Sequence, residues 1–400
     1  MAGLLDAWRA FSSDTAFTIV RKMGVWVYHR LSRLTKEQRN QMWSLYIAGE
    51  YGGMNEVMAR LYQYTGDSKF LHAAHWFDND GLFFPLEEGL DALSGMHANQ
   101  HVPQVIGALA MYEASGDENY HTIARNFQRF VTDAHMYAIG GVGEGEMFHR
   151  AGRIASLLTR QTAESCVSYN MLKLTRELYQ LDPDERLMDA YERTLTNHTL
   201  AASQKAAFGR TTYFMPLSVR AKKSFEDENS CCHGTGMESP FCFGDAIWFS
   251  DEKAIYVEQW IPSHTKTAKL SVAVLDNSIQ IYVKYLQAEK RDLVIRKPVW
   301  TEEEGSAFVF RGPFSAGEEC SISLPCRLQF EPAPDDPELG VLTWGPYVLA
   351  AVTEQEERLC VKKLPEKVSG KLKWEGEGIH YLPFAEIEDE MYQVYLRFGQ

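Results

Sequence analysis

Apolar residues recur at helical spacing through the first 250 positions and at strand spacing afterwards. Met54, Val57, Met58, Leu61 and Tyr62 form one stripe with the three-and-four rhythm of an amphipathic helix. Val105, Ile106 and Leu109 form a second. Each stripe leads into a related phrase. Residues 61–70 read LYQYTGDSKF, and residues 111–120 read MYEASGDENY, offset by fifty positions. LYQLDPDERL at 178–187 is a looser third copy. The first two phrases place Gly where one helix stops and Asp near the N-cap of the next. Helical hairpins at this spacing predict an (α/α) toroid or solenoid, with its pocket at the helix ends around the axis.

The texture changes at 250–253. AIYVEQWI, KLSVAVL, SIQIYVKYL, DLVIRKPVW, SAFVFRG, ECSISLP and GVLTWGPYVLAA are short, β-branched and separated by turn residues. That spacing predicts a C-terminal β-sandwich. Two domains follow, a helical one over 1–250 and a β-sandwich over 251–400. The Pro- and Asp-rich EPAPDDPELG at 331–340 reads as a loop.

Composition narrows the possibilities. Four hundred residues, 45 % of them hydrophobic, suffice for two cores. No apolar run of about eighteen residues occurs, so no membrane span is expected. A net charge of −14 argues against nucleic acid or an anionic membrane as partner. It suits a small neutral ligand. Aromatics at 12 % serve either sugar faces or core packing. Seven cysteines show no disulfide framework, which points to a reducing compartment.

Candidate chemistry centres on Glu164 and Cys166 in Glu-Ser-Cys, and on the adjacent Cys231 and Cys232 in Cys-Cys-His-Gly-Thr-Gly. Two neighbouring thiols can share a metal. One carboxylate with three thiolates is a four-coordinate set that suits zinc. The same cysteines can also be read as small, buried and reduced. Paired Cys-x-x-Cys is absent, so this is not a zinc finger. YAIGGVGEGEMF at 137–148 is a glycine-marked loop without the lysine or strand–helix context of a phosphate loop. It can present Glu144 or Glu146 to a pocket, or leave both solvated. His97 and His101 lie four apart without a metalloprotease glutamate. Asn99 and His101 can hydrogen-bond a polyol, or the histidines can simply cap a helix or face solvent. No Gly-x-Ser-x-Gly elbow occurs. The sequon at Asn197 follows a helical run and is read as chance.

Taken in order, several segments resemble the arabinofuranosidase-type glycoside hydrolases of families 127 and 146. They are EYGGMNE at 50–56, GMHANQHVPQVIGA at 95–108, YAIGGVGEGEMF, and ESCVSYNMLKLTRELY at 164–179. TYFMPL at 212–217, CCHGTGMES at 231–239 and LPFAEIEDEMYQVY at 382–395 follow. The resemblance implies an (α/α)6-type catalytic barrel followed by β-sandwich structure. It also implies a zinc ion (Zn2+) held by Glu164, Cys166, Cys231 and Cys232. Cys231 then corresponds to the nucleophile and Glu146 to the acid/base. His101 and Tyr213 fall where sugar-contacting residues are expected. The implied reaction is retaining hydrolysis of a β-L-arabinofuranoside at a glycan end, with a small oligosaccharide or glycan as partner. A related pectic sugar, or a non-catalytic fragment with structural zinc, are the rival readings.

Family members carry further residues upstream, and MAGLLDAWRAF resembles the middle of a family helix. An N-terminally incomplete barrel is therefore expected. Leu4, Leu5, Trp8 and Phe11 should be exposed, which would favour a homo-oligomer. The opening residues show no basic leader, which with free cysteines favours the cytoplasm, unless the true start lies upstream.

Overall fold

The computed structural model describes residues 1–45, 51–205, 209–226, 228–301 and 305–399. Glu50 of the EYGGMNE segment lies outside them. The chain runs helices first and strands afterwards, the expected order, with the change between Cys242 and Trp248. Among the described residues no helix is long and apolar enough to cross a membrane. Two compact units emerge: Met1–Ala134 with Met147–Ala151, and His135–Glu146 with Gly152–Gln400.

The first unit is helical. Its elements are α1 (Ala2–Phe11), α2 (Asp14–Leu31), α3 (Lys36–Trp43), α4 (Met54–Thr65), α5 (Ser68–His75), α6 (Asp80–Glu87), α7 (Ala98–Ser115) and α8 (Glu118–Phe130). The repeated phrase is the hinge of each hairpin. Gly66 ends α4 in the left-handed region, and the Asp67 side chain accepts from Lys69 N at 3.1 Å to open α5. Gly116 and Asp117 do the same between α7 and α8. The predicted stripes face inward, where Met58, Leu61, Val105 and Leu109 are buried. At Gly107 a Cβ would lie 2.0 Å from Asn55 Oδ1, so α4 and α7 approach at a distance only glycine permits.

The exposed stripe expected on α1 is corrected. Leu5 is buried and Trp8 stacks on Phe17 at 4.4 Å, because α1 folds back onto α2 as a hairpin. Of the four only Phe11 is strongly exposed; on α2, Ile19, Met23 and Trp26 are exposed as well.

The second unit contains α9 (Ser165–Leu181), α10 (Glu185–Thr194), α11 (Cys231–Cys242) and three sheets of four, nine and four strands. Neighbouring residues of the nine-stranded sheet serve opposite cores. Leu342, Trp344, Leu349 and Ala351 join a core with Leu270, Ile281, Val283 and Leu324 of one four-stranded sheet. Val341, Val348 and Ala350 point the other way, onto Tyr137, Ile139, Ala163, Met215 and Leu217. The period of two thus buries both faces. One face makes the sandwich core, and the other supports the irregular segments that build the site.

The loop expected at 331–340 is instead a bulged hairpin. Strand Leu328–Ala333 pairs antiparallel with strand Asp336–Trp344, and the register shifts between Asp336 and Gly340. Pro337 falls within that irregularity, where a missing N–H disturbs the ladder least. The sequence shows the prolines but not the bulge that accommodates them.

The sequon asparagine is buried. Asn197 accepts from Val348 N at 2.7 Å and donates to Pro346 O at 2.9 Å, tying the end of the α10 region to a strand turn. A second tie is ionic. Arg296 is buried among three acids. It pairs with Asp189, meets Glu192 Oε2 at 3.0 Å and lies 3.6 Å from Glu258 Oε2. Its Nε donates to the Glu258 carbonyl at 3.0 Å, and Trp300 donates to Glu192 at 3.1 Å. This network joins α10 to the strands at 254–257 and 292–296.

Arg296→Met should destabilise the protein by about 3–5 kcal/mol, because it strands buried carboxylates. Chemical denaturation measures this, and a loss below about 1 kcal/mol would mean the network is dispensable. Burial also pushes the Glu258 carboxyl up to about 7, above its ordinary 4.5. The folded state then binds more protons than the unfolded chain between those values. This contribution is full below pH 4.5 and is lost as pH rises to 7. Glu258→Gln should therefore raise the melting temperature relative to wild type more at pH 8 than at pH 4, as thermal melts at the two pH values will show.

Candidate metal and catalytic centre

Three extended segments lie side by side. Ala163 N donates to Gly143 O at 2.7 Å, and Gly145 N to Gln161 O at 3.0 Å. On the other side Ser165 N donates to Tyr213 O at 3.0 Å and Met215 N to Thr162 O at 2.9 Å. These bonds align the glycine loop, the Glu-Ser-Cys segment and TYFMPL. The alignment needs close approach. A Cβ at Gly141 would sit 2.5 Å from Ala163 Cβ and 2.9 Å from His198 Nδ1. Two non-glycine residues here take left-handed φ, Ala163 at 56° and Glu146 at 68°. Each such residue costs about 1 kcal/mol or more, which the surrounding bonds must hold in place.

Two helices start at this spot. Glu164 is the N-cap of α9, with Cys166 in its first turn. Cys231 and Cys232 open α11, whose N-cap Ser230 accepts from His233 N at 3.4 Å. Helix N-termini favour negative charge and lower thiol pKa values. Sequence positions 65 apart therefore meet through two helix starts packed together.

One ligand atom from each of Glu164, Cys166, Cys231 and Cys232 lies within 4.8 Å of all the others. Cys232 Sγ donates to Glu164 Oε1 at 3.5 Å and lies 4.0 Å from Cys231 Sγ. Cys166 and Cys232 are buried, while Cys231 is exposed. Cys242, Cys320, Cys326 and Cys360 are not members of this group. Burial, with Cys166 and Glu146 nearby, pushes the Glu164 carboxyl up to about 9. Hydrogen bonding from Cys232 holds Cys166 down to about 7, while Cys232 itself is pushed up. Burial raises Cys231 as well. Glu164 Oε2 is buried and has no hydrogen-bond partner among the described residues. Four acids that resist joint ionisation, with one orphaned carboxylate oxygen among them, can hold a metal ion.

Next to this group, Tyr213 links two further side chains. Its hydroxyl donates to Glu146 Oε1 and accepts from Cys231 Sγ at 3.5 Å. Burial, followed by these two partners, keeps the phenol protonated. Of the two loop glutamates, Glu144 is engaged elsewhere, accepting from Thr159 Oγ1 at 2.9 Å. His101 belongs to the first unit, on α7, where its Nδ1 bonds the His97 carbonyl at 2.5 Å. Burial lowers its pKa. His97 is a capping histidine, accepting from Gln100 N at 3.3 Å.

Sequence reasoning missed Thr235, whose hydroxyl lies 3.1 Å from Cys166 Sγ. Its signal was available, since it falls one helical turn after Cys231. It also missed His198, buried against Ser168 on α9 and held near 3 by burial.

Comparison with known proteins agrees with this architecture. A search of curated proteins finds no significant match. Among solved structures, a GH127 β-arabinofuranosidase is similar at TM-score 0.69 and 17 % identity, over 86 % of this chain and 68 % of the other. A GH127 β-L-arabinofuranosidase from Geobacillus stearothermophilus T6 is similar at TM-score 0.69 and 15 % identity, over 98 % and 78 %. A protein described as a glycoside hydrolase reaches TM-score 0.71 at 13 % identity, over 98 % and 81 %. At these identities the likeness speaks to fold. The family model for the β-L-arabinofuranosidase GH127 catalytic domain matches residues 1–245, a stretch that includes both helix starts, the glycine loop and TYFMPL. With more than half of its length matched, the chain belongs to the GH127 family and is a glycoside hydrolase.

Proposed function

We propose that the protein is a retaining glycosidase that releases β-L-arabinofuranose from the non-reducing ends of plant-type glycans, with Cys231 as nucleophile and Glu146 as acid/base. The observation that carries this reading is the grouping of four donor atoms within 4.8 Å from residues of which only Cys231 is exposed. Glu164, Cys166, Cys231 and Cys232 would hold zinc, which when bound neutralises the donors' charge and keeps the thiols ionised at neutral pH. The donor set, soft thiolates with one carboxylate, fits that ion. The sugar assignment follows the family and the activity stated for the relatives similar in fold.

The chain's own residues then divide the work. Cys231 presents its sulfur to the anomeric carbon, while buried Cys166 and Cys232 cannot reach substrate. Tyr213 bridges nucleophile and acid through one hydroxyl, holding them a short span apart, as retaining enzymes require. In the first step the Cys231 thiolate forms a bond to the anomeric carbon. The glycosidic C–O bond breaks, and Glu146 gives its proton to the departing oxygen. In the second step Glu146 takes a proton from water. The water oxygen bonds the anomeric carbon, and Cys231 leaves as thiolate. The left-handed backbone at Glu146 aims its carboxyl across the loop toward Tyr213.

Kinetics on two classes of arabinofuranoside test this assignment. Cys231→Ser should reduce kcat on every substrate by about 1,000-fold or more. Glu146→Gln should slow alkyl glycosides by about 100-fold or more, and activated aryl glycosides much less, because only the former need a proton on the leaving oxygen. Equal losses on both classes would remove Glu146 from the acid role. Full activity of Cys231→Ser would overturn the proposal.

A further inference from the structure

A cleft of about 390 Å³ in the second unit is lined by Arg153, Arg358 and Arg397 together with Asp335 and Asp336. Three guanidinium groups at one cleft run against a chain that has 40 basic and 54 acidic residues. The arrangement is built into the fold. Strand Cys360–Val361 runs parallel to strand Leu396–Phe398, with Cys360 opposite Arg397. Arg397 N donates to Leu359 O at 2.9 Å. This register places Arg358 next to Arg397. Arg153 is positioned by a clamp on the turn after it, where Asp335 Oδ1 accepts from Ile154 N at 3.2 Å and Ala155 N at 2.8 Å.

Among the described residues, only Arg397 of the three forms an ion pair. Arg397 pairs with Asp336 at 3.1 Å and Glu338 at 3.4 Å. Arg358 is partly buried, and its Nη1 donates to the Tyr395 carbonyl at 3.1 Å. Arg153 is exposed. Among the described residues neither Arg153 nor Arg358 has a carboxylate within ion-pair distance, and Asp335 is engaged by backbone amides. Burial and the neighbouring Arg397 charge both lower the Arg358 pKa, the direction expected where like charges face each other.

We propose that this cleft is a second glycan-binding site that takes the carboxylate of a sugar acid, with Arg153 and Arg358 as its partners. A planar guanidinium fork matches a carboxylate with two parallel hydrogen bonds. The choice of a sugar acid over other carboxylates rests on the glycoside hydrolase class of the chain. A site of this kind would hold the enzyme on an acidic polysaccharide while the Cys231 centre works on neutral side branches.

Titration calorimetry on the full chain tests the proposal without turnover, using a short oligogalacturonate, a neutral galacto-oligosaccharide and inorganic phosphate. The oligogalacturonate should bind, more weakly as salt is raised, and the neutral oligosaccharide should not. Arg153→Ala should weaken binding by about tenfold, the loss of one charge-assisted hydrogen bond. Arg358→Gln should do likewise. Arg153 is the safer variant, because it is exposed and its loss leaves the fold intact. Cys231→Ser should bind the oligogalacturonate like wild type, which separates this site from the catalytic one. No binding, unchanged binding in both arginine variants, or phosphate binding as tightly as the sugar acid would overturn the proposal.

Discussion

Four acidic groups share one largely buried spot, and that concentration of charge governs the construction around it. A carboxyl and three thiols cannot all ionise there unaided, since each ionisation raises the cost of the next. The fold answers with two helix N-termini, those of α9 and α11, which bring partial positive charge to the same place. Glu164 remains pushed up to about 9, and its second oxygen remains without a hydrogen bond. Helix dipoles alone therefore do not satisfy the site. The donor set could hold a cation.

Holding these groups together requires support from far along the chain. The glycine loop, the Glu-Ser-Cys segment and TYFMPL rest on one face of the nine-stranded sheet, whose other face fills the sandwich core. The β region is thus a foundation for the segments that carry Glu164, Cys166 and Tyr213. Two further ties hold the α10 region to the strands: Arg296 links it to a four-stranded sheet through a buried ionic network, and Asn197 links it to a turn of the nine-stranded sheet through hydrogen bonds. Left-handed backbone at Ala163 and Glu146 persists because its neighbours on both sides are fixed.

Much of the fold was legible in the sequence. Gly66, Asp67, Gly116 and Asp117 marked the hairpin hinges because capping depends on local chemistry alone. The apolar stripes on α4 and α7 marked the buried faces for the same reason. The hairpin at 328–344 was hidden, because prolines in a strand make sense only once the bulge is known. The exposed stripe expected on α1 failed because it depended on which helix packs against which, and Trp8 found Phe17 and Tyr64. At the site, residue types suggested a metal, but spacing left buried reduced cysteines as an equal reading. Residue types alone left Glu144 and Glu146 open, and only the family resemblance pointed to Glu146. In the structure Glu144 accepts from Thr159 and Glu146 from Tyr213. Thr235 went unnoticed although it lies one helical turn after Cys231, because its partner, Cys166, is on another helix.

Zinc-edge X-ray absorption on the purified chain is the most direct test of this account. It should show one zinc per chain with three sulfur neighbours at about 2.3 Å and one lighter neighbour at about 2.0–2.2 Å. The sulfur count should fall to two in Cys232→Ser. A chain that takes up no zinc, or a bound zinc surrounded only by nitrogen and oxygen, would contradict it.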